Sequence, residues 1–87
     1  MSYTNNQEVA EEVKFSCAIA RHNGTYDHVY GSNQAVDLKI EQLRRRYPGA
    51  KLIKRYDGIP FSKVDRLRSG VEDLNRGERV DLDKIVK

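Results

Sequence analysis

The sequence predicts a small α+β domain of order β-β-α-β-α, an antiparallel hairpin plus a third strand covered by two helices. Three observations carry this. Val36, Ile40, Leu43 and Tyr47 recur at spacings of four, three and four, which puts them on one narrow helical face. Asn23-Gly24 sits between two runs of alternating character, the signature of a tight hairpin. The run AKLIKRY is bracketed by Pro48-Gly49 and Asp57-Gly58, which marks a short strand.

The hairpin comes first. Val13, Phe15, Cys17 and Ile19 alternate with Lys14, Ser16, Ala18 and Ala20, the period of a half-buried strand over 12–21. Residues 25–30 return. A two-residue loop fixes the register, with His22 opposite Thr25, Arg21 opposite Tyr26, Ile19 opposite His28 and Cys17 opposite Tyr30. Tyr26, His28 and Tyr30 then share a face with Phe15, Cys17 and Ile19, and are expected to pack against Val36 and Ile40. If the helices covered the other face, these aromatics would instead be an exposed, interface-like patch.

The first helix spans 33–47. Ser32 precedes it as an N-cap, able to accept from one of the first unpaired N–H groups, and Pro48-Gly49 ends it. The third strand, 50–56, carries charge at the ends of at least one face, which suits a sheet edge. It can lie on either side of the hairpin. Ser62 with Asp65 three residues on predicts a second helix over 63–75, with Val64, Leu67, Val71 and Leu74 as its buried stripe. Gly70 inside that helix costs about 1 kcal/mol relative to alanine, which packing must offset. Gly77 is a natural helix stop. Val80, Leu82, Ile85 and Val86 suggest a last helical turn begun by Asp81 and folded back on the core. Both helices are expected on one face of the sheet. Residues 1–10 are polar and aperiodic and read as a flexible start to a single domain over 11–87.

The 87 residues make one domain, expected to bury about 60 to 65% of its unfolded surface. Apolar residues at 38% and charged residues at 33% match a folded soluble chain rather than a disordered one. No run approaches the roughly 20 apolar residues of a membrane span, and no signal-peptide layout opens the chain, so a cytoplasmic setting is expected with no membrane partner. Cys17 is the only cysteine, which excludes an internal disulfide. A zinc site would have to rely on His22, His28 and carboxylates, and neither a metal nor a cofactor is expected.

The formal charge of +3 is unevenly placed. Residues 1–43 carry a net −3, residues 69–87 a net −1, and residues 44–68 a net +7, with nine basic side chains against Asp57 and Asp65. Arg44, Arg45 and Arg46 point in three directions around a helix at about 100° per residue, so they cannot form one patch alone. The residues expected to bind a partner are therefore these three with Lys51, Lys54, Arg55, Lys63, Arg66 and Arg68, converging in space, and Tyr56 beside them. Tyr47 and Tyr56 flank the block as possible stacking surfaces, Tyr47 being better explained by core packing. The bland account is a solvated basic surface in which helix-end arginines offset the dipole and Glu41 pairs with Arg44 or Arg45.

A catalytic reading is weak. Cys17 and His28 share a strand face, but Asp27 points to the other, and no phosphate loop, metal-spaced cluster or carboxylate pair is present. The expected function is non-enzymatic: the basic surface contacts nucleic acid mainly through the backbone. The alternative is a protein-binding regulator or inhibitor of viral or plasmid type, such as an anti-defence protein, that occupies an acidic or nucleic-acid site on a larger machine. No small-molecule substrate is indicated, and the oligomeric state is left open.

Overall fold

In a computed structural model, residues 13–87 are described. The expectation for residues 1–10 lies outside them. The elements follow the predicted order: β1 (Lys14–His22), β2 (Thr25–Gly31), α1 (Asn33–Arg46), β3 (Lys51–Pro60), α2 (Phe61–Asn75) and a short α3 (Leu82–Val86).

The hairpin has the register that its turn dictates, with His22 opposite Thr25 and Cys17 opposite Tyr30. Asn23 at φ 51° and Gly24 at φ 78° take the two left-handed positions that such a turn requires. Ser32 caps α1, its Oγ accepting from the Ala35 N–H at 3.1 Å. The third strand pairs antiparallel with β1, giving the order β2-β1-β3 and making both β2 and β3 edges.

β3 runs past the Asp57-Gly58 pair that the sequence reads as its end. Gly58 at φ 69° absorbs the turn propensity inside the strand, and Ile59 returns to the core opposite Phe15. Pro60, extended at φ −73° and ψ 159°, then leads directly into α2 with no side-chain cap. The helix thus begins at Phe61, and Ser62 is not its cap.

The helices do not share one face. α1 lays Val36 and Ile40 against Ala18 and Val29, whereas α2 and α3 lay Val64, Leu67, Val71 and Leu82 against Cys17, Ile19 and Ile59. β1 is accordingly buried from Ser16 to Ala20 on both faces. Its second face is built of Ser16, Ala18 and Ala20, small enough for α1 to settle on the backbone. Tyr26 therefore packs in the α2 layer rather than against Val36 and Ile40, and Tyr30 is left 38% exposed.

Gly70 is explained by close approach. An added Cβ would lie 2.9 Å from Ile85 Cδ1 and 3.2 Å from Val80 Cγ1, so the missing side chain admits the C-terminal segment. Past α2, Gly77 at φ 90° donates to the Leu74 carbonyl, and the Glu78 N–H donates to the Asp73 carbonyl, each at 3.0 Å, the paired bonds of a Schellman stop. Asp81 caps α3, accepting from the Asp83 N–H. At the hairpin end, the Asn75 amide bonds both backbone groups of Tyr26, accepting from its N–H at 2.7 Å and donating to its carbonyl at 3.0 Å.

Candidate functional site

The last turn of α1 and the start of β3 meet at the turn end of the hairpin. The Tyr47 ring stacks on His22 at 3.8 Å and 9°, which seats the end of α1 on the end of β1. The register then sets Lys51 opposite Arg21. Four of the residues expected to bind a partner, Arg44, Arg45, Arg46 and Lys51, therefore gather at this end, and Arg21 joins them from outside the basic block. All five are exposed.

The arginines diverge as helical geometry requires. Arg44 and Arg45 turn toward β3 and, with Arg55, edge a groove of about 420 Å³ whose apolar floor includes Ile40 and Leu52. Arg46 turns the other way, into a groove of about 520 Å³ between α1 and β2 that also takes in Lys39, Gln42 and Asp27. Arg45 pairs with Glu41 at 3.3 Å on the same helix. Arg21, Arg44, Arg46 and Lys51 have no carboxylate partner among the described residues, where the paired basic groups are Arg45, Lys54, Arg55, Arg68, Arg76 and the His22 imidazole.

The other predicted residues are held elsewhere. Arg55 is a clamp between β3 and α1: its guanidinium bonds Asp37, Asp57 and the Asn33 carbonyl, and those two carboxylates, Asp37 foremost, hold it more firmly charged than usual. Lys54 and Tyr56 face α3, where the Tyr56 hydroxyl donates to Asp83 at 2.6 Å and Lys54 Nζ lies 3.2 Å from the same carboxylate. Burial, and then that bond, push the Tyr56 phenol up, while the two donors, Tyr56 first, pull the Asp83 carboxyl down. Tyr56 is thus a packing residue of the α3 side. Lys63, Arg66 and Arg68 lie on α2, across the sheet from α1. Lys63 donates to the Lys87 carbonyl, Arg68 is engaged by Asp65 and Glu72, and Arg66 is exposed.

Cys17 is fully buried, and burial pushes its thiol up to about 12, the opposite of what a nucleophilic cysteine needs. His28 is likewise shifted toward its neutral form, by burial first and then by the Arg68 charge. His22 and His28 occupy opposite faces, His22 under Tyr47 and bonded to Asp27, His28 beside α2. No group of three or more His, Cys, Asp or Glu side chains among the described residues is placed to hold a metal ion. No helix among them is long and apolar enough to cross a membrane.

No family model matches the chain, and no curated protein or solved structure compared with it matches either.

Two features were not read from the sequence. His22 and Asp27 pair diagonally across the hairpin, one step from the direct partner Thr25, and the predicted register already places them on one face. Lys39 and Arg46, seven residues apart, fall on one line of α1 and point along the same groove.

Proposed function

We propose that the protein binds nucleic acid through the phosphodiester backbone, with the turn end of the hairpin as its contact surface. The observation that carries this reading is that one end of the domain bears Arg44 and Arg46 on the α1 side and Arg21 and Lys51 on the α2 side, Arg21 over the Tyr26 ring, none with a carboxylate partner among the described residues. Unpaired cations clustered on a polyelectrolyte's path release its counterions, and that release supplies sequence-independent affinity.

The test is a titration of labelled oligonucleotides at several salt concentrations. Four phosphate contacts on a single strand give a slope of log K against log salt of about −3. Arg44→Glu with Lys51→Glu is expected to weaken binding at least tenfold and to flatten that slope, while Arg66→Glu on α2 changes it little. No binding at low salt overturns the reading.

A second reading, a regulator that occupies an acidic surface on a larger protein, is favoured by the α1–β3 groove. Its exposed Leu52 floor lies beside Arg44, the rim arginine without a carboxylate partner among the described residues, in a rim that also holds Asp37 and Glu41. This suits an acidic segment carrying an apolar side chain, a feature that a sugar-phosphate chain leaves unused. Failure of the titration leaves this reading in place.

A further inference from the structure

At the far end of the sheet from the basic cluster, three aromatic rings meet. Phe15 of β1, Tyr30 of β2 and Phe61 of α2 form a triangle with centroids 5.5 to 6.4 Å apart and interplanar angles of 60 to 67°. The contacts are edge to face, so no ring is sandwiched between two others. Phe61 is 50% exposed and Tyr30 38%, leaving roughly 100 Å² of the phenylalanine in water. Half of this ring packs on Phe15 and Tyr30, and the other half is left open at the first turn of a helix.

A cation lies against the triangle. Lys39 Nζ sits 5.4 Å from the Tyr30 ring centroid and donates to the Tyr30 carbonyl at 2.7 Å. Arg68, two turns beyond Phe61 on the same side of α2, is close enough to Tyr30 and His28 to influence them, although Asp65 and Glu72 engage its charge. Asp65, one turn beyond Phe61, is bound by Arg68. Lys39 also lines the α1–β2 groove, whose other end is Arg46, about 10 Å further along the helix. The rings lie on the α2 face and the groove on the α1 face, and Lys39, which lines the groove and reaches the Tyr30 carbonyl and ring, links the two around the β2 edge.

We propose that the Phe15–Tyr30–Phe61 triangle is a stacking platform for unpaired bases, so that the nucleic acid bound is single-stranded and crosses the β2 edge at Lys39 to reach the rings. This rests on the function proposed above. The occupant follows from charge complementarity: a nucleobase brings a flat π face for the rings and a phosphate for Lys39, whereas an apolar protein segment would bury that ammonium unpaired. The nine residues of β1 span about 30 Å, or roughly nine nucleotides at the rise of a stacked strand.

The experiment compares three probes of one length, about twelve nucleotides: a single-stranded oligothymidylate, a blunt duplex, and a strand of abasic deoxyribose-phosphate units. Fluorescence anisotropy is expected to give at least tenfold tighter binding of the oligothymidylate than of the abasic strand. Phe61→Ala should cost about 5- to 150-fold on the oligothymidylate and nothing on the abasic strand. Phe61→Leu, which keeps an apolar side chain but has no π face, should lose affinity alike, with a melting curve to show that the variant is folded at the assay temperature. Equal affinity of the native protein for oligothymidylate and abasic strand, or of native and Phe61→Ala for oligothymidylate, overturns the platform. If Arg44→Glu with Lys51→Glu still weakens all three probes in that case, backbone binding stands without it. If the native protein binds no probe, both proposals fall together. Self-association of the native protein that Phe61→Ala abolishes in sedimentation would assign the rings to a second copy and also overturn the platform.

Discussion

Gly70→Ala sets helix propensity against packing at a single methyl group. Alanine is favoured over glycine inside a helix by about 1 kcal/mol, so on an isolated α2 the change stabilises. In the folded domain the new Cβ would stand 2.9 Å from Ile85 Cδ1 and 3.2 Å from Val80 Cγ1, against roughly 3.5 to 4.0 Å for carbons at their energy minimum. The C-terminal segment must back away by several tenths of an ångström, and overpacking of this kind costs about 1 to 3 kcal/mol. The packing cost wins, with a net loss on the order of 1 kcal/mol, or about 4 to 8 °C in Tm for a domain of this size. The same substitution made in a Val80→Ala, Ile85→Ala background meets no such atoms and should instead raise stability by about 1 kcal/mol. Urea denaturation followed by far-ultraviolet circular dichroism reads the full cycle. If Gly70→Ala stabilises both backgrounds equally, the close approach of α3 to the α2 backbone is not what selects glycine.

Two further outcomes are expected. Asn75→Ala removes both bonds to the Tyr26 backbone and should lower stability by about 1 to 2 kcal/mol, with faster hydrogen exchange at the Tyr26 amide as the local readout; unchanged exchange there would refute the assignment. His28 is held below its ordinary value of 6.5, so the unfolded chain takes up its proton first as pH falls. Its contribution is therefore complete above about pH 6.5 and is lost on acidification through that value toward the lowered one. Urea midpoints at about pH 7.5 and about pH 5.5 should differ less in His28→Gln than in the native protein, and an equal difference would remove His28 from the account.

Elements with strong local codes were legible in advance. The Asn23-Gly24 turn fixed every pair of the hairpin, and Ser32 with the Val36–Ile40 stripe fixed α1. Placement of that helix was not, because a strand read only for large apolar groups looks one-sided. Ser16, Ala18 and Ala20 register as spacers, yet small side chains are what lets a helix approach β1, and they make its second face an interior one. Asp57-Gly58 misled for a similar reason: turn propensity is local, and pairing with β1 overrode it.

The candidate site was half legible. Helical spacing correctly separates Arg44 and Arg45 from Arg46, and no local rule brings Arg21 to Lys51 without the strand order. Lys63, Arg66 and Arg68 adjoin the others in sequence but stand across the sheet, since β3 carries the chain the length of the domain before α2 begins. Tyr47 and Tyr56 drew attention by proximity to charge, and both are engaged, one on His22 and the other on Asp83. The open rings belong to Tyr30 and Phe61, outside or at the margin of the basic block.

The Asn75 side chain also decides how wide the sheet can become. By meeting both main-chain groups of Tyr26, one carboxamide imitates a single rung of a fourth strand and then stops, so an incoming peptide finds the outer ladder of β2 already taken at its first step. On the opposite border, lysine and arginine side chains and two breaks of register along β3 spoil the template there as well. A β-sheet of this size has little reserve stability with which to resist fibre growth, and here both flanks are guarded by individual residues rather than by bulk.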